Sequence, residues 1–100
     1  MDFKLIWSES AINDLDEIVR YICLHGGSQI AKEVGFAIYG RAQVLLRNPE
    51  AGSILQEKGD ARWRKLIYRS WKIAYRIDSE ANTVYVVRVW HAAQDEIEIH

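Results

Sequence analysis

Residues 71–77 have the sequence WKIAYRI, in which a large apolar side chain stands at every second position. Lysine, alanine and arginine occupy the positions between, and this period of two predicts a β-strand with one apolar face. Residues 62–68 and 83–90 are also rich in aromatic and β-branched side chains, and both lie at hairpin-length spacing from this strand. The three segments predict an antiparallel meander with one buried face and one solvated face.

The first half of the chain predicts one strand and two helices. Asp2 to Trp7 alternates as a strand does, and Ser8 can cap a helix that ends at Gly26-Gly27. A second helix, capped by Ser28, should continue to Asn48-Pro49, and the short connection makes the pair a hairpin. Residues 49–60 are predicted to form a loop.

The order βααβββ indicates an α+β fold in which the helical hairpin packs on a small twisted antiparallel sheet. The chain has 100 residues, of which 49% are hydrophobic, and this suits one domain over residues 1–100. A single cysteine, Cys23, excludes an intrachain disulfide and a cysteine-based zinc site, and we expect it to be a buried small hydrophobe.

Other functional classes are disfavoured by composition. His25, His91 and His100 share no ligand spacing, so neither a metal site nor a cofactor is predicted. No apolar run approaches the roughly 18 residues that span a bilayer, and no signal peptide is evident. We therefore expect a cytoplasmic protein without a membrane partner.

The charge distribution is uneven although the net charge is −1. Three acids crowd the last six residues, and residues 61–77 contain six cations and no acid. The six cations are Arg62, Arg64, Lys65, Arg69, Lys72 and Arg76. If they and Arg88 share one face of the sheet, they form a basic patch for nucleic-acid phosphates or for an acidic peptide. An ordinary solvated sheet face is the alternative interpretation.

Aromatic residues interleave with these cations, as they do on surfaces that stack single-stranded nucleic acid. They are Trp63, Tyr68, Trp71, Tyr75, Tyr85 and Trp90. Aromatic side chains at period two usually belong to a core, so we favour that interpretation and do not expect direct nucleic-acid binding. His91 can serve as a general acid or base near neutral pH, or it can be a packing residue beside Trp90.

The chain resembles the RelE/ParE superfamily of type II toxin-antitoxin toxins, and within it the ParE-like, or plasmid stabilisation, branch. The residues that carry the resemblance are Trp7-Ser8, Ala11, Asp14-Leu15, Ile18, Tyr21, Pro49, Gly52, residues 71–77 and Val89-Trp90-His91. The resemblance implies a toxin that inhibits bacterial growth. It also implies a cognate antitoxin, ParD-like or similar, that neutralises the toxin with an extended amphipathic segment.

The superfamily contains ribosome-dependent messenger-RNA nucleases and ParE-like inhibitors of DNA gyrase. By position, Lys65 and Lys72 match two basic sites of the nucleases, but Ala92 and Ala93 stand where an arginine is expected. No tyrosine follows Tyr85 to match the terminal acid-base group of that branch. A nuclease would have to use Lys65, Lys72, Arg76 and His91. The incomplete set favours a gyrase inhibitor that is not an enzyme. Ala92-Ala93-Gln94 also lacks the arginines of many ParE-like chains.

We predict one surface for the target or the antitoxin. Its residues are Arg62, Arg64, Lys65, Arg69, Lys72, Arg76, Arg88, Trp90 and His91. An acidic and apolar antitoxin segment would lie over the helical hairpin and the sheet edge and would shield residues 62–76. A homodimer of the free chain is compatible with the sequence, but no residue predicts it.

Overall fold

A helical hairpin covers one face of a five-stranded sheet. The structure, a computed structural model, describes residues 2–93. The strands and helices are β1 (Lys4–Trp7), α1 (Glu9–Gly26), α2 (Ser28–Gln43), β2 (Ser53–Ile54), β3 (Trp63–Tyr68), β4 (Trp71–Asp78) and β5 (Thr83–His91). Two short 3-10 turns, Val44–Leu46 and Gln56–Lys58, flank β2. The predicted α+β fold is confirmed.

Local signals set the ends of α1. The Ser8 hydroxyl accepts a hydrogen bond from the Ala11 amide at 3.1 Å, as predicted for an N-cap. Gly27 separates the two helices with φ at +96°, a conformation that favours glycine. α2 begins directly after it, so Ser28 is the first helical residue and not the predicted cap, a position that Gly27 takes.

The strand order is β1-β5-β4-β3-β2. The predicted antiparallel meander of β3, β4 and β5 is confirmed, and β2 pairs antiparallel with β3 from within the predicted loop. β1 pairs with β5 in the parallel direction, so the sheet is mixed and not wholly antiparallel as predicted. The alternation of β1 revealed a strand but not its partner or its direction.

The main core lies between the hairpin and the sheet. Trp71, Ile73, Tyr75 and Ile77 of β4 all face the helices, as their alternation predicted. They meet fully buried helical side chains such as Ala11 and Ile38. Burial of one such large apolar side chain stabilises the fold by about 1.5–3 kcal/mol.

The opposite side of the sheet, called here the open face, is not simply solvated. Leu55 follows β2 and folds over it, and there Leu55, Ala74 and Val87 form a small buried cluster. Trp63, Tyr85 and Trp90 pack around this cluster. The predicted solvated face is therefore amphipathic, since its apolar centre is bordered by charged side chains.

Candidate functional site

Three predicted cations come together on the open face. Residues that pair directly across neighbouring strands share a face of the sheet. Lys65 pairs with Ala74 and Lys72 with Trp90, while Arg76 pairs with Trp63 on one side and with Tyr85 on the other. Ala74, Trp63, Tyr85 and Trp90 belong to the open-face cluster, so Lys65, Lys72 and Arg76 lie on that face.

Aromatic rings form cation–π contacts with part of this charge. The Arg76 guanidinium carbon lies 4.7 Å from the ring centroid of Tyr85 and 5.9 Å from that of Trp63. Lys58, a residue that sequence reasoning missed, places its Nζ 4.5 Å from the Trp63 centroid. Such contacts contribute about 0.5–1 kcal/mol at exposed sites. Nothing in the loop sequence around Lys58 indicates that it returns to the sheet.

Lys65 and Lys72 are not paired with an acid of the described residues. Both side chains are half-buried. An ammonium group held at the edge of apolar surface can pair with an anion that arrives from outside. The open face therefore suits a partner that brings negative charge and some apolar area.

Arg62 and Arg64 lie on the helix side of the sheet, so the predicted single patch is divided. Arg64 pairs with Tyr75, and the Arg62 carbonyl accepts from the amide of Ile77. The Arg64 side chain is only 14% exposed and donates to the carbonyls of Gly52 at 3.0 Å and Ala61 at 2.9 Å. Its hydrogen-bonding capacity serves the fold.

The remaining predicted cations have separate positions. Arg62 pairs with Asp60 at 2.7 Å on the surface. Arg69 lies in the turn between β3 and β4, where its guanidinium is 5.7 Å from the Tyr68 ring centroid. Neither side chain joins the three cations of the open face.

Tyr75 holds the loop before β2 against the sheet with two hydrogen bonds. Its hydroxyl donates to the Pro49 carbonyl at 2.7 Å and accepts from the Gly52 amide at 2.9 Å. Burial raises the pKa of Tyr75 above its ordinary value. A Cβ on Gly52 would collide with the backbone carbonyl of Lys65 and with the Tyr75 hydroxyl. The Pro49 and Gly52 pair therefore has a structural role.

A groove of about 610 Å³ lies between α1 and the end of β5. It is lined by Asp14, Glu17, Ile18, Tyr21, Trp71, Arg88, Val89, Trp90 and His91. β1 pairs with β5 only as far as Val86, and beyond that point α1 supplies the hydrogen bonds at this edge. The Ser8 hydroxyl donates to the Val87 carbonyl at 3.1 Å, and the Asp14 carboxylate accepts from the Val89 amide at 2.9 Å.

Arg88 lines this groove next to an irregularity in β5. Tyr75 pairs with Val86 and Ala74 pairs with Arg88, so Val87 is an extra residue, a β-bulge. The Arg88 guanidinium donates to both Asp14 oxygens, at 2.7 and 3.1 Å. These hydrogen bonds raise the pKa of Arg88 above its ordinary value. Arg88 therefore joins β5 to α1 and does not extend the open-face cations.

His91 lies on the groove side of the sheet, away from Lys65, Lys72 and Arg76. It pairs with Trp71, and their rings meet edge to face with centroids 4.9 Å apart. Its Nδ1 accepts from the Ala93 amide at 3.0 Å. The four residues that a nuclease would have to use are thus divided between two faces.

The hairpin exposes large apolar side chains. Leu24 is 82% exposed, Phe36 74% and Tyr21 64%. Cys23 is exposed as well, so its predicted burial is wrong. It falls outside the apolar stripe of α1, because Ala11, Leu15 and Ile18 define the side that packs on the core.

Membrane-spanning helices and metal clusters are both absent from the described residues 2–93. No helix there combines the length and the apolar character needed to cross a membrane. No group of three histidine, cysteine, aspartate or glutamate side chains comes together there as a metal site. His100 and the acids of the last six residues lie outside this range.

The sequence and the fold place the chain among known proteins. Residues 5–96 match the family described as "ParE toxin of type II toxin-antitoxin system, parDE". No curated protein sequence matches the chain.

Solved structures share the fold. A chromosomal ParDE toxin-antitoxin system from P. aeruginosa has a TM-score of 0.75 at 19% identity, over 89% of this chain and 95% of that one. The RelBE2 toxin-antitoxin complex from Mycobacterium tuberculosis has a TM-score of 0.71 at 23% identity, over 94% and 95% of the two chains.

A free-state mutant of the E. coli toxin RelE is more distant, with a TM-score of 0.59 at 20% identity over 93% and 86% of the two chains. The structural likenesses show the RelE/ParE fold, and the family match extends over most of the sequence. The chain belongs to the ParE toxin family of type II toxin-antitoxin systems.

Proposed function

We propose that this toxin inhibits growth by binding DNA gyrase, that it breaks no bond itself, and that a cognate antitoxin neutralises it. The observation that carries the proposal is the separation of His91 from the cations of the open face. Phosphodiester cleavage needs stabilisation of the phosphoryl charge and a proton donor at the same site. Here Lys65 and Lys72 can supply the charge, but the His91 ring lies on the other side of the sheet.

The open face suits an acidic protein surface. Lys65, Lys72 and Arg76 surround an apolar cluster, so a partner can bury apolar area while its carboxylates meet the cations. Interfaces of this kind gain specificity and association rate from charge and affinity from the buried centre. The proposed location, the cytoplasm, is that of gyrase.

The antitoxin is the second proposed partner. Two of the similar structures are described as toxin-antitoxin complexes or systems, which supports a neutralising partner here. The exposed Tyr21, Leu24 and Phe36 of the hairpin suit the apolar side of an amphipathic segment. Acidic residues in the same segment would extend to the sheet edge and to residues 62–76.

Supercoiling by purified gyrase tests the target. We expect the toxin to inhibit supercoiling and the Lys65→Glu/Lys72→Glu double variant to lose that inhibition. Arg20→Glu is the matched control, because Arg20 is an exposed cation on the hairpin that pairs with exposed Asp16. Inhibition that the double variant retains in full would remove the open face from the gyrase contact.

The runner-up function is a ribosome-dependent messenger-RNA endoribonuclease, which Lys65 and Lys72 favour by their position. RNA-cleavage mapping on translating ribosomes separates the two functions. We expect no cleavage attributable to the toxin. Cleavage in the ribosomal A site that disappears in the His91→Ala variant would overturn the binding proposal and make the protein an enzyme.

Antitoxin binding has its own test. We expect Lys72→Glu to weaken the complex and Arg20→Glu to change it less, because only the first reverses a charge on the open face. Unchanged affinity in Lys72→Glu would remove the cations from the antitoxin interface. Binding should also raise the melting temperature, because the antitoxin binds the folded chain and not the unfolded one.

A further inference from the structure

Aromatic rings line the groove between α1 and the end of β5. They belong to Tyr21 of the helix and to Trp71, Trp90 and His91 of the sheet. Tyr21 is largely exposed, and the rings of Trp71 and His91 meet edge to face. The face of an aromatic ring carries negative partial charge and attracts a cation that lies over it. The groove therefore offers a surface on which a cation can stack.

The formal charges of the groove also favour a cation. The Arg88 guanidinium donates to both Asp14 oxygens, so these two charges offset each other. The pKa of Arg88 is raised mainly by these hydrogen bonds, and least by the charge of Glu17. Glu17 is exposed and forms no ion pair with another residue in the range 2–93. His91 adds no charge, because its Nδ1 accepts from the Ala93 amide and so carries no proton.

The edge of β5 adds a hydrogen-bond acceptor. The Val89 amide donates to Asp14 on the side of α1. The N–H and C=O groups of one strand residue point to the same edge, so the Val89 carbonyl also faces the groove. β1 pairs with β5 only as far as Val86, and no other strand of the described residues lies opposite this carbonyl. The Glu17 carboxylate and the Val89 carbonyl can only accept hydrogen bonds, which calls for a donor.

The spacing on α1 brings charge and ring together. Glu17 and Tyr21 are four positions apart in the helix, and at this spacing the two Cβ atoms lie about 5–6 Å apart. One planar cation can therefore lie over the Tyr21 ring and donate to Glu17. Leu24, 82% exposed, continues the same side of the helix seven positions after Glu17.

A guanidinium meets these requirements better than other groups. It is planar and always charged, it carries five N–H donors in a fixed fork, and it stacks on aromatic rings. The ammonium group of lysine is a compact, strongly hydrated point charge and stacks less well. A carboxylate would meet the like charge of Glu17, which is unfavourable.

We propose that the groove binds an arginine side chain of a partner protein, with the guanidinium on Glu17 and over the Tyr21 ring. Apolar neighbours of that arginine then cover Ile18 and Leu24. The open face and the groove select opposite charges, carboxylates on the face and a guanidinium at the sheet edge. The contact is independent of whether the toxin acts on gyrase or on the ribosome.

A short peptide tests the site in the full-length chain. The probe is the capped pentapeptide ALRLA, titrated into isotope-labelled toxin and followed by NMR. We expect the indole N–H signal of Trp71, which lines the groove, to shift, and that of Trp63, on the open face, to stay in place. The matched ligand carries citrulline in place of arginine, which keeps the shape and removes the charge. It should bind about five- to tenfold more weakly.

Two variants locate the contact. Glu17→Gln should weaken binding of the arginine peptide about three- to fivefold, because it removes the charge of an exposed ion pair. Tyr21→Ala should weaken it about two- to fivefold through loss of the cation–π contact. Glu33→Gln is the matched control, an exposed acid of α2 that accepts a hydrogen bond from Gln29, and it should leave the affinity unchanged.

Other results would overturn the proposal. Equal binding of the citrulline peptide would show that charge does not direct the contact. A Glu33→Gln variant as weak as Glu17→Gln would show that the peptide senses only the net charge of the hairpin. A shift of Trp63 in place of Trp71 would assign the peptide to the open face, and no shift of either would show that the groove does not take arginine. A failed gyrase assay leaves all these outcomes readable, since the titration contains only toxin and peptide.

Discussion

The two faces of one sheet use the same strands in different ways. On the helix side, Ile73 and Tyr75 are fully buried between the sheet and the hairpin. On the open face, Lys72 and Arg76 of the same strand stay half-buried beside aromatic rings. Because neighbouring residues of a strand point to opposite sides, β4 contributes to stability with one set and presents charge with the other.

This contrast separates residues that maintain the fold from residues that can meet a partner. Positively charged side chains on the helix side, such as Arg64, are bonded to the chain's own carbonyls. On the open face, Lys65 and Lys72 are not paired with an acid of the described residues. Substitutions on the first side should change stability, and substitutions on the second should change binding.

The largest difference is expected between two isoleucines of adjacent strands. Ile73→Ala removes a side chain of 0% exposure from the main core, and such changes cost about 2–5 kcal/mol of unfolding free energy. Ile67→Ala, on the open face at 52% exposure, should cost under about 1 kcal/mol. Denaturant unfolding measures both. Equal losses in the two variants would contradict the division of roles between the faces.

Two glycines provide the next test. Gly52→Ala forces a methyl group against the backbone of β3 and the Tyr75 hydroxyl, and overpacking of this kind costs about 1–3 kcal/mol. Gly40→Ala is the control, because nothing lies within 4 Å of its Cβ and alanine favours a helix interior by up to about 1 kcal/mol. The midpoint of thermal or denaturant unfolding should therefore fall in Gly52→Ala and stay the same or rise in Gly40→Ala. A Gly52→Ala protein as stable as the unaltered one would show that the backbone of β3 and the Tyr75 hydroxyl can shift to make room for the methyl group.

Local signals explain how much of the fold was predictable. The alternation of residues 71–77, the Ser8 cap and the break at Gly27 act over a few positions, and all are found in the structure. The parallel pairing of β1 was not predictable in the same way. This pairing sets Leu5 opposite Val84, two residues that are far apart in sequence. Nothing in the sequence of β1 identifies β5 as its neighbouring strand.

The division of the cations between the two faces is encoded in the length of the turn between β3 and β4. A two-residue turn joins β3 to β4 and pairs Tyr68 with Trp71. Each even-numbered residue of β3 then faces an odd-numbered residue of β4. Arg64 must therefore share a face with Tyr75, while Lys65 shares one with Ala74. The register of a hairpin decides the face, and alternation within each strand alone does not.

The groove contact was beyond such reasoning. Asp14 and Arg88 are 74 positions apart, and the bulge at Val87 beside Arg88 leaves no mark in the residue pattern. Aspartate and arginine are common on solvated surfaces, so neither residue signalled a pair. Their assignment required the packing of α1 on β5.

This ion pair gives a smaller prediction that sharpens the comparison at the edge of the sheet. Asp14→Asn should cost about 1–2 kcal/mol, between the values for exposed and buried pairs, because both side chains are mostly shielded. The Val89 amide should also exchange faster with solvent. Asp16→Asn is the control, since its pair with Arg20 is exposed and contributes about 0.5 kcal/mol at most. If Asp16→Asn were the more damaging change, α1 would not support β5 through Asp14.

The smallest expected effect concerns Asp60, at the rim of the sheet. Hydrogen bonds from the Arg62 side chain and backbone lower the pKa of Asp60 from 3.8 to about 2. A carboxyl whose pKa is lower in the folded state stabilises the fold above its unfolded value, and that contribution is lost as the pH falls from about 4 through about 2. Because Asp60 and Arg62 lie on the surface, the change in stability should be small, while the titration itself is directly measurable by NMR.

Arg62→Ala should return the pKa of Asp60 toward 3.8, whereas Lys65→Ala, on the open face, should leave it where it is. The contrast follows from the hydrogen bonds, because the amide and the guanidinium of Arg62 donate to the Asp60 carboxylate, whereas Lys65 lies on the open face. A carboxyl that titrates near 3.8 in the unaltered protein, or one that responds equally to both substitutions, would show that Arg62 is as free as Lys65. The predicted patch would then include both cations, and the two faces would not differ in the way that their hydrogen bonds indicate.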